Sequence, residues 1–565
     1  CQEGSLLALP RQNCGGPEKR DCVYEAWEVQ HLLLLKELTR TKSHGDYEAA
    51  LQMGEAAMVA TPNDIFTARV LFVTYITTSQ FERMRRTFCG IVAQYESRHV
   101  VAAGDAAAST APPSPSSPSL LCKDAYPLIY PFLVGIAAFA LEETGNLRKG
   151  AELAHKSIKL VQQINIDRAT ANAAAAAAAE GGSDTKVLMP FKSVYAIHVL
   201  VHCYHDNQDV IGGAAELERS NNTNNNNQEA DEKEKEKAGT ALHCFGDLPS
   251  DLWLGCGSMT VHIHWHLALL LHHAGRTPEA LQVYDKYVNP FMVKEDLFRI
   301  CDGAAFLWRL QLDAPDALGK NDSRVLRIVE AWKPYLFFRH PSASPPRTTS
   351  SSGGGGVLGS PSLQEPFLDF HARLLMLLMA RNLELNGSSS SCEVLLKLPI
   401  RNADGTSADA KTENAEVAIT SNQELEKAIL ETTSMDLEYL HKTIGGDISA
   451  KEGEEGVGSQ HRGMGGIIRL MNYTMALLDD RSQDDIVLGH DARARGELKA
   501  MRKHWPLMGG SNAQREVLQR TLWDALCRGG TYPEREAVRA ELEGWALVHQ
   551  AGNPYFQRLL DLMGR

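Results

Sequence analysis

Apolar and small residues recur at helical spacing along most of this chain, interrupted by glycine-bearing turns and by polar tracts with no apolar period. In His262–Pro290, Leu267, Leu270, Leu271 and Ala274 form one apolar face around Ala268. Gly275 breaks that helix, and Ala280 and Tyr287 lie on a second one that closes at Pro290. Tyr130–Leu160 repeats the pattern: small Gly135 and Ala138 on a first helix, a Gly145-Asn146 turn, then Gly150 and Ser157 on a second. In Gly45–Asp64, Gly45 ends a preceding helix, Tyr47 wedges the turn, Ala50 and Ala57 occupy the helix crossing, and Pro62 ends the unit. A weaker hairpin begins at Ser193 and runs through Gly212 toward Ser220. Further helices are predicted at Leu297–Leu312, Ser323–Trp332, Phe367–Leu385, Gln423–His441, Gly466–Leu478, Asp491–Trp505, Asn512–Arg528 and Glu534–His549.

Helical hairpins with small residues at a fixed register carry the signature of tetratricopeptide (TPR) repeats. The expected fold class is therefore all-α: a TPR-like α-solenoid of stacked antiparallel helix hairpins, with residues 1–565 as a single superhelical domain. Residues 102–119, 171–184, 220–239, 341–362, 386–421 and 451–465 are Ala/Ser/Pro-, Asn-, Gly- or charge-rich and read as disordered low-complexity insertions between helical units. The polyalanine run in 171–184 has helix-forming composition, and is read here as a solvated loop.

A formal net charge of −13 argues against a nucleic-acid or anionic-membrane surface, which needs clustered Lys and Arg. Eleven cysteines without a C-x-x-C pair read as reduced thiols, and no apolar window is long enough to span a bilayer. The acidic balance and the reduced thiols point to a cytoplasmic protein. The chain opens on Cys1, from which we expect an upstream portion and any targeting signal it carries.

His198 and His202 are four apart on one predicted helix, as are His262 and His266 on another. On a helix, i and i+4 stack on one face, so each pair presents two imidazoles to one point. First helices of consecutive repeats lie side by side, which lets the four rings converge on a divalent transition metal such as zinc, copper, iron or nickel. The bland alternative is buried or groove-lining imidazoles satisfied by hydrogen bonds. His264, between the second pair, faces away if this segment is helical. Glu143, Asp302 and Asp369, with His371 beside the last, are the acidic candidates for orienting an imidazole. The chain has no phosphate loop, nucleophile elbow, dinucleotide fingerprint or kinase set, so no established catalytic motif supports an enzyme assignment.

The stretches Phe139–Leu147, Ala196–His202, Val261–Gly275, Asp302–Leu312, Phe367–Ala380 and Gly509–Leu518 together resemble the tetratricopeptide repeat protein 38 family. The resemblance implies a TPR-like solenoid, and it implies that His198, His202, His262, His266, Asp302, Asp369 and His371 stand at positions the family fills alike. Arg309 lies in the fourth stretch, and Ser511, Asn512, Gln514 and Arg515 open the helix of the last. Two departures stand out. The family begins well upstream of Cys1, and it tends to carry His-Asp where this chain has Phe72-Val73. The resemblance supplies no activity. The function expected is a scaffold that takes a protein or peptide partner in its concave groove. The alternative is a ligand-binding protein or metal-dependent enzyme with a His/Asp-lined pocket between repeats. The candidate groove or pocket residues are Glu143, His198, His202, His262, His266, Asp302, Arg309, Asp369, His371, Ser511, Asn512 and Arg515.

Overall fold

The computed structural model describes residues 47–62, 64–108, 120–178, 192–206, 250–254, 256–292, 297–332, 338–339, 366–383, 396–401, 416–419, 422–444, 464–479, 492–549 and 554–564. Where the sequence predicts one superhelical domain, the chain divides into two compact units, Cys1–Thr74 and Tyr75–Arg565. In the first, helix α1 (Tyr47–Ala60) meets helix α2 (Ile65–Thr77) at Gly54, where a Cβ would lie 2.6 Å from Leu71 Cδ2. Gly54 is thus the small residue that this crossing requires; Ala50 is buried and Ala57 only half-buried.

The second unit continues with α3 (Phe81–Ala108), α4 (Leu120–Glu143), α5 (Leu147–Ala178), α6 (Val194–Asp206), α7 (Ser258–His273), α8 (Thr277–Val283), α9 (Leu297–Asp313) and α10 (Ser323–Trp332). It then runs through α11 (Pro366–Asn382), α12 (Asn422–Ile444), α13 (Met464–Asp479), α14 (Ala492–Met501), α15 (Asn512–Gly529), α16 (Tyr532–His549) and α17 (Pro554–Gly564). One device ends both α4 and α7. Gly145 and Gly275 take φ of +77° and +75°, so Asn146 N–H reaches Leu141 O at 2.8 Å and Arg276 N–H reaches Leu271 O at 2.9 Å. These six-to-one bonds satisfy terminal carbonyls and turn the chain straight into the next helix.

The turn at Gly145 makes α4 and α5 antiparallel, as two contacts show. A Cβ on Gly150 would sit 3.0 Å from Ala138 O, and Ser157 Oγ donates to Pro131 O at 2.7 Å. Contacts then run from α4 and α5 to α6, from α6 to α7, and from α7 to α9. At the centre, α9 is buried from Ile300 through Leu310 and touches α7, α10, α11, α15 and α17. A helix enclosed on all sides is a core helix. Late-chain α15 packs on α6 and α9, so these contacts exceed strict nearest-neighbour stacking.

Three expectations need correction. The polyalanine run continues α5 to Ala178, with Ala171, Ala173 and Ala174 exposed, because alanine carries the lowest helix cost and needs no tertiary cover. Helix α3 likewise enters the segment 102–119 as far as Ala108. Within 386–421, strands β2 (Leu396–Arg401) and β3 (Glu416–Ile419) pair antiparallel, Leu396 opposite Ile419, and β1 (Phe338–Arg339) pairs parallel to β2. Their alternating apolar residues, Leu396, Leu398 and Ile400 against Val417 and Ile419, have the strand period. The body of the protein is helical, and this small sheet is its one β feature among the described residues. Gly45, Gly212 and the segments 220–239, 341–362 and 451–463 lie outside the described residues, and the last two residues of the expected insertion 451–465 already belong to α13.

Candidate metal centre

Helix α6 is buried from Ala196 to Cys203, and α7 hides Val261 and the run from Ile263 to His266. The two helices pack directly, which turns the i, i+4 pairs toward each other in the interior. One ring nitrogen from each of His198, His202, His262 and His266 lies within 4.8 Å of the other three. His262 Nε2 is 2.9 Å from His198 Nε2 and 3.2 Å from His266 Nε2. Aromatic walls hold the rings: Phe139 stacks on His198 at 5.4 Å and Trp265 on His262 at 5.2 Å.

Carboxylates stand behind two of the four. Asp302, on α9, lies 2.6 Å from His262 Nδ1 through Oδ2, so Nδ1 carries the proton and Nε2 presents its lone pair to the other imidazoles. Glu142 and Glu143, at the end of α4, approach His202 Nδ1 at 3.3 and 3.7 Å.

Helix α15 braces both carboxylate groups from behind. Ser511 and Gln514 form a reciprocal capping box, and Gln514 Nε2 donates to Asp302 Oδ1 at 2.9 Å. Asn512 N–H donates to both oxygens of Glu143 at 3.1 and 3.2 Å, and Arg515 Nη2 donates to Glu143 Oε2 at 3.3 Å. The loop before α15 needs its two glycines: Gly509 and Gly510 take φ of +81° and +74°, and a Cβ on either would fall within 2.9 Å of Phe367. Arg515 also donates to the carbonyls of both glycines.

Burial sets the protonation states. It holds His198 well below the ordinary histidine range and lowers His202 to about 4, so both rings are neutral at pH 7 with lone pairs to offer. Burial, then the neighbouring Glu142, pushes Glu143 up to about 8. His262 is the most exposed of the four imidazoles, with 13% of its side chain accessible, which marks the side from which solvent approaches.

The other candidates divide. Asp369 and His371 are buried on α11 and belong to neither group of converging ligand atoms. His371 Nδ1–H donates to Phe367 O at 2.7 Å, and its Nε2 has no hydrogen-bond partner among the described residues. Arg309 is fully buried, 5.7 Å from the Trp265 ring centroid and bonded to Ala513 O. It supports the wall of the site rather than its centre. His264 turns away, donating to Thr260 O at 2.8 Å and stacking on Tyr287 at 4.1 Å.

Sequence reasoning misses Glu142 and gives Gln514 no role. Glu142 lies seven residues after Gly135 and four after Ala138, on the small-residue face that packs against α5, and that register was its available signal. Gln514 is the glutamine three residues after Ser511 that a capping box calls for. Phe72-Val73, the departure from the resemblance, lies in the first unit, with Phe72 buried. No helix among the described residues is long and apolar enough to cross a membrane. No protein-family model matches this chain, and no curated protein matches it significantly.

Proposed function

We propose that this protein binds a divalent first-row transition metal in its interior, on a TPR-like helical scaffold of the kind the tetratricopeptide repeat protein 38 resemblance implies. His198, His262 and His266 supply the Nε2 ligands, and His202 completes the group. One observation carries this reading. With Nδ1 committed to Asp302, His262 Nε2 offers a single in-plane lone pair, yet two other Nε2 atoms approach it at 2.9 and 3.2 Å. At most one approach can be a well-aligned N–H···N hydrogen bond. Nitrogens about 3.3 Å apart are what a tetrahedral ion with bonds of about 2.0–2.1 Å requires. All-nitrogen donors suit zinc, copper or nickel better than calcium or magnesium.

The partner-binding scaffold needs polar side chains exposed along an inner wall. Apart from His262 and Asn512, every candidate groove residue is buried, which favours an internal ligand over a peptide. Stripping the purified protein with chelator and titrating it with Zn(II) tests the proposal. The thermal midpoint rises, as for any ligand bound only by the folded state, by the equivalent of about 2.7 kcal/mol at a hundredfold excess over Kd. His262→Ala abolishes the rise, and Asp302→Asn weakens binding by about 10- to 100-fold. A wild-type midpoint indifferent to Zn(II), Cu(II) and Ni(II) would overturn the proposal.

A further inference from the structure

The contacts around the centre divide its ligands three and three. His198, His262 and His266 are joined through Nε2 at 2.9 and 3.2 Å. His202, Glu142 and Glu143 form a second group whose ligand atoms also gather within 4.8 Å. His202 is the shared member: it is fully buried, its Nδ1 lies 3.3 Å from Glu142 Oε2 and 3.7 Å from Glu143 Oε1, and neither ring nitrogen makes a hydrogen bond among the described residues. Three ligands in a tetrahedron with bonds of about 2.0–2.2 Å stand about 3.3–3.6 Å apart, and these distances bracket that edge.

We propose that the centre holds two divalent cations, the second bound by Glu142, Glu143 and His202 Nδ1. This inference rests on the metal-binding reading above. The two oxygens of Glu143 are differently placed for it. Oε2 takes the Arg515 guanidinium at 3.3 Å, while Oε1 is the oxygen turned to His202, so the second cation lies on the side of the carboxylate away from Arg515. A carboxylate has enough lone-pair sites to keep the Asn512 N–H bonds as well. When the second cation takes His202 out of the four-histidine set, each half has three protein ligands and an open position, the composition of a reactive rather than a purely structural site. In two-metal sites generally, ions about 3.5–4 Å apart clamp the attacking and leaving oxygens of a displacement, and the ligand class a pair would fit here is a small oxyanion or ester that can bridge it.

Titration of the metal-free protein with Co(II) tests this, read by bound-metal analysis and electron paramagnetic resonance. We expect saturation at two equivalents per chain, with the second equivalent reducing the signal of the first through magnetic coupling. Glu142→Gln combined with Glu143→Gln should leave one equivalent and restore an uncoupled signal. Saturation of the wild type at one equivalent overturns the second site and leaves the first standing, whereas no uptake overturns both. Two uncoupled equivalents in the wild type place the second ion elsewhere and likewise sink the inference, without depending on whether the double variant folds.

Discussion

Two buried polar clusters are built on the same pair of helices, and they end differently. At one turn of α7, His262 pairs with Asp302 on α9 at 2.6 Å; further along, His272 pairs with Asp313 on α9 at 2.8 Å. The pairs share a geometry, with sequence separations of 40 and 41 residues. Beyond His272 the network closes on an internal cation: Arg520 donates to Asp313 at 2.6 Å, to Glu516 at 2.8 and 3.0 Å and to His273 at 2.5 Å. His272 Nδ1 accepts from Thr277 Oγ1 at 3.0 Å, so both of its nitrogens are satisfied. Beyond His262 stand three more imidazoles, with no guanidinium hydrogen-bonded to them among the described residues. A buried carboxylate–imidazole pair is thus complete when the chain supplies its cation; where the chain supplies lone pairs instead, as around His262, it leaves a set of atoms that could hold an external one.

The largest effect should come from breaking the closed cluster. Arg520→Met removes the guanidinium while Asp313 and Glu516 stay buried, which costs about 3–5 kcal/mol because an unpaired buried charge is left behind. The loss should appear in the urea midpoint of the metal-free protein. A cost below about 1 kcal/mol would show that the arginine is dispensable and that the two clusters do not differ in kind.

A middle-sized effect separates His371 from both clusters. Burial, its largest influence, lowers this imidazole from the ordinary 6.5 to about 3, and the Arg309 guanidinium pushes the same way. The unfolded chain therefore takes up a proton near pH 6.5 that the folded chain refuses. Stability from this group is complete above pH 6.5 and is lost as pH falls toward about 3. His371→Gln should flatten the fall of unfolding free energy between about pH 6.5 and 4 by up to one proton. An unchanged slope would mean that His371 takes up its proton in the folded state at the ordinary pH.

Local chemistry was legible in the sequence, and convergence only in part. The pairs His198/His202 and His262/His266 announce themselves because four residues are close to one helical turn, and Gly145 and Gly275 announce the turns that bring helices together. Nothing local says that α15 returns to α4 and α9, since Asn512 and Glu143 lie 369 residues apart and only tertiary packing joins them. The adjacent glutamates illustrate the limit. Glu142 and Glu143 point about 100° apart on α4, yet both reach His202, because α6 crosses close to the end of that helix. Strands β2 and β3 are hidden for a different reason: their six and four residues sit in a tract whose polar composition dominates any wider window.

The smallest effect tests how far support from α15 reaches. Ser511 Oγ accepts from Gln514 N–H at 3.3 Å, and Gln514 Oε1 accepts from Ser511 N–H at 2.9 Å. With its oxygen so fixed, the Gln514 amide directs Nε2 at Asp302, which in turn sets the tautomer of His262. Ser511→Ala deletes the first bond and keeps the second, since the second uses the backbone. We expect a stability loss of about 1 kcal/mol, typical of an N-cap, with metal affinity falling by less than tenfold. Gln514→Ala leaves Asp302 Oδ1 without its donor, so for a similar loss of stability it should weaken metal binding more than Ser511→Ala does. If the two variants lose metal equally, α15 serves the centre through the placement of its N-terminus against Glu143, and the amide contact to Asp302 is incidental. If only Gln514→Ala loses it, the path from cap to amide to carboxylate to imidazole is what makes the four-ring cluster a ligand set and leaves the arginine-closed cluster a strut.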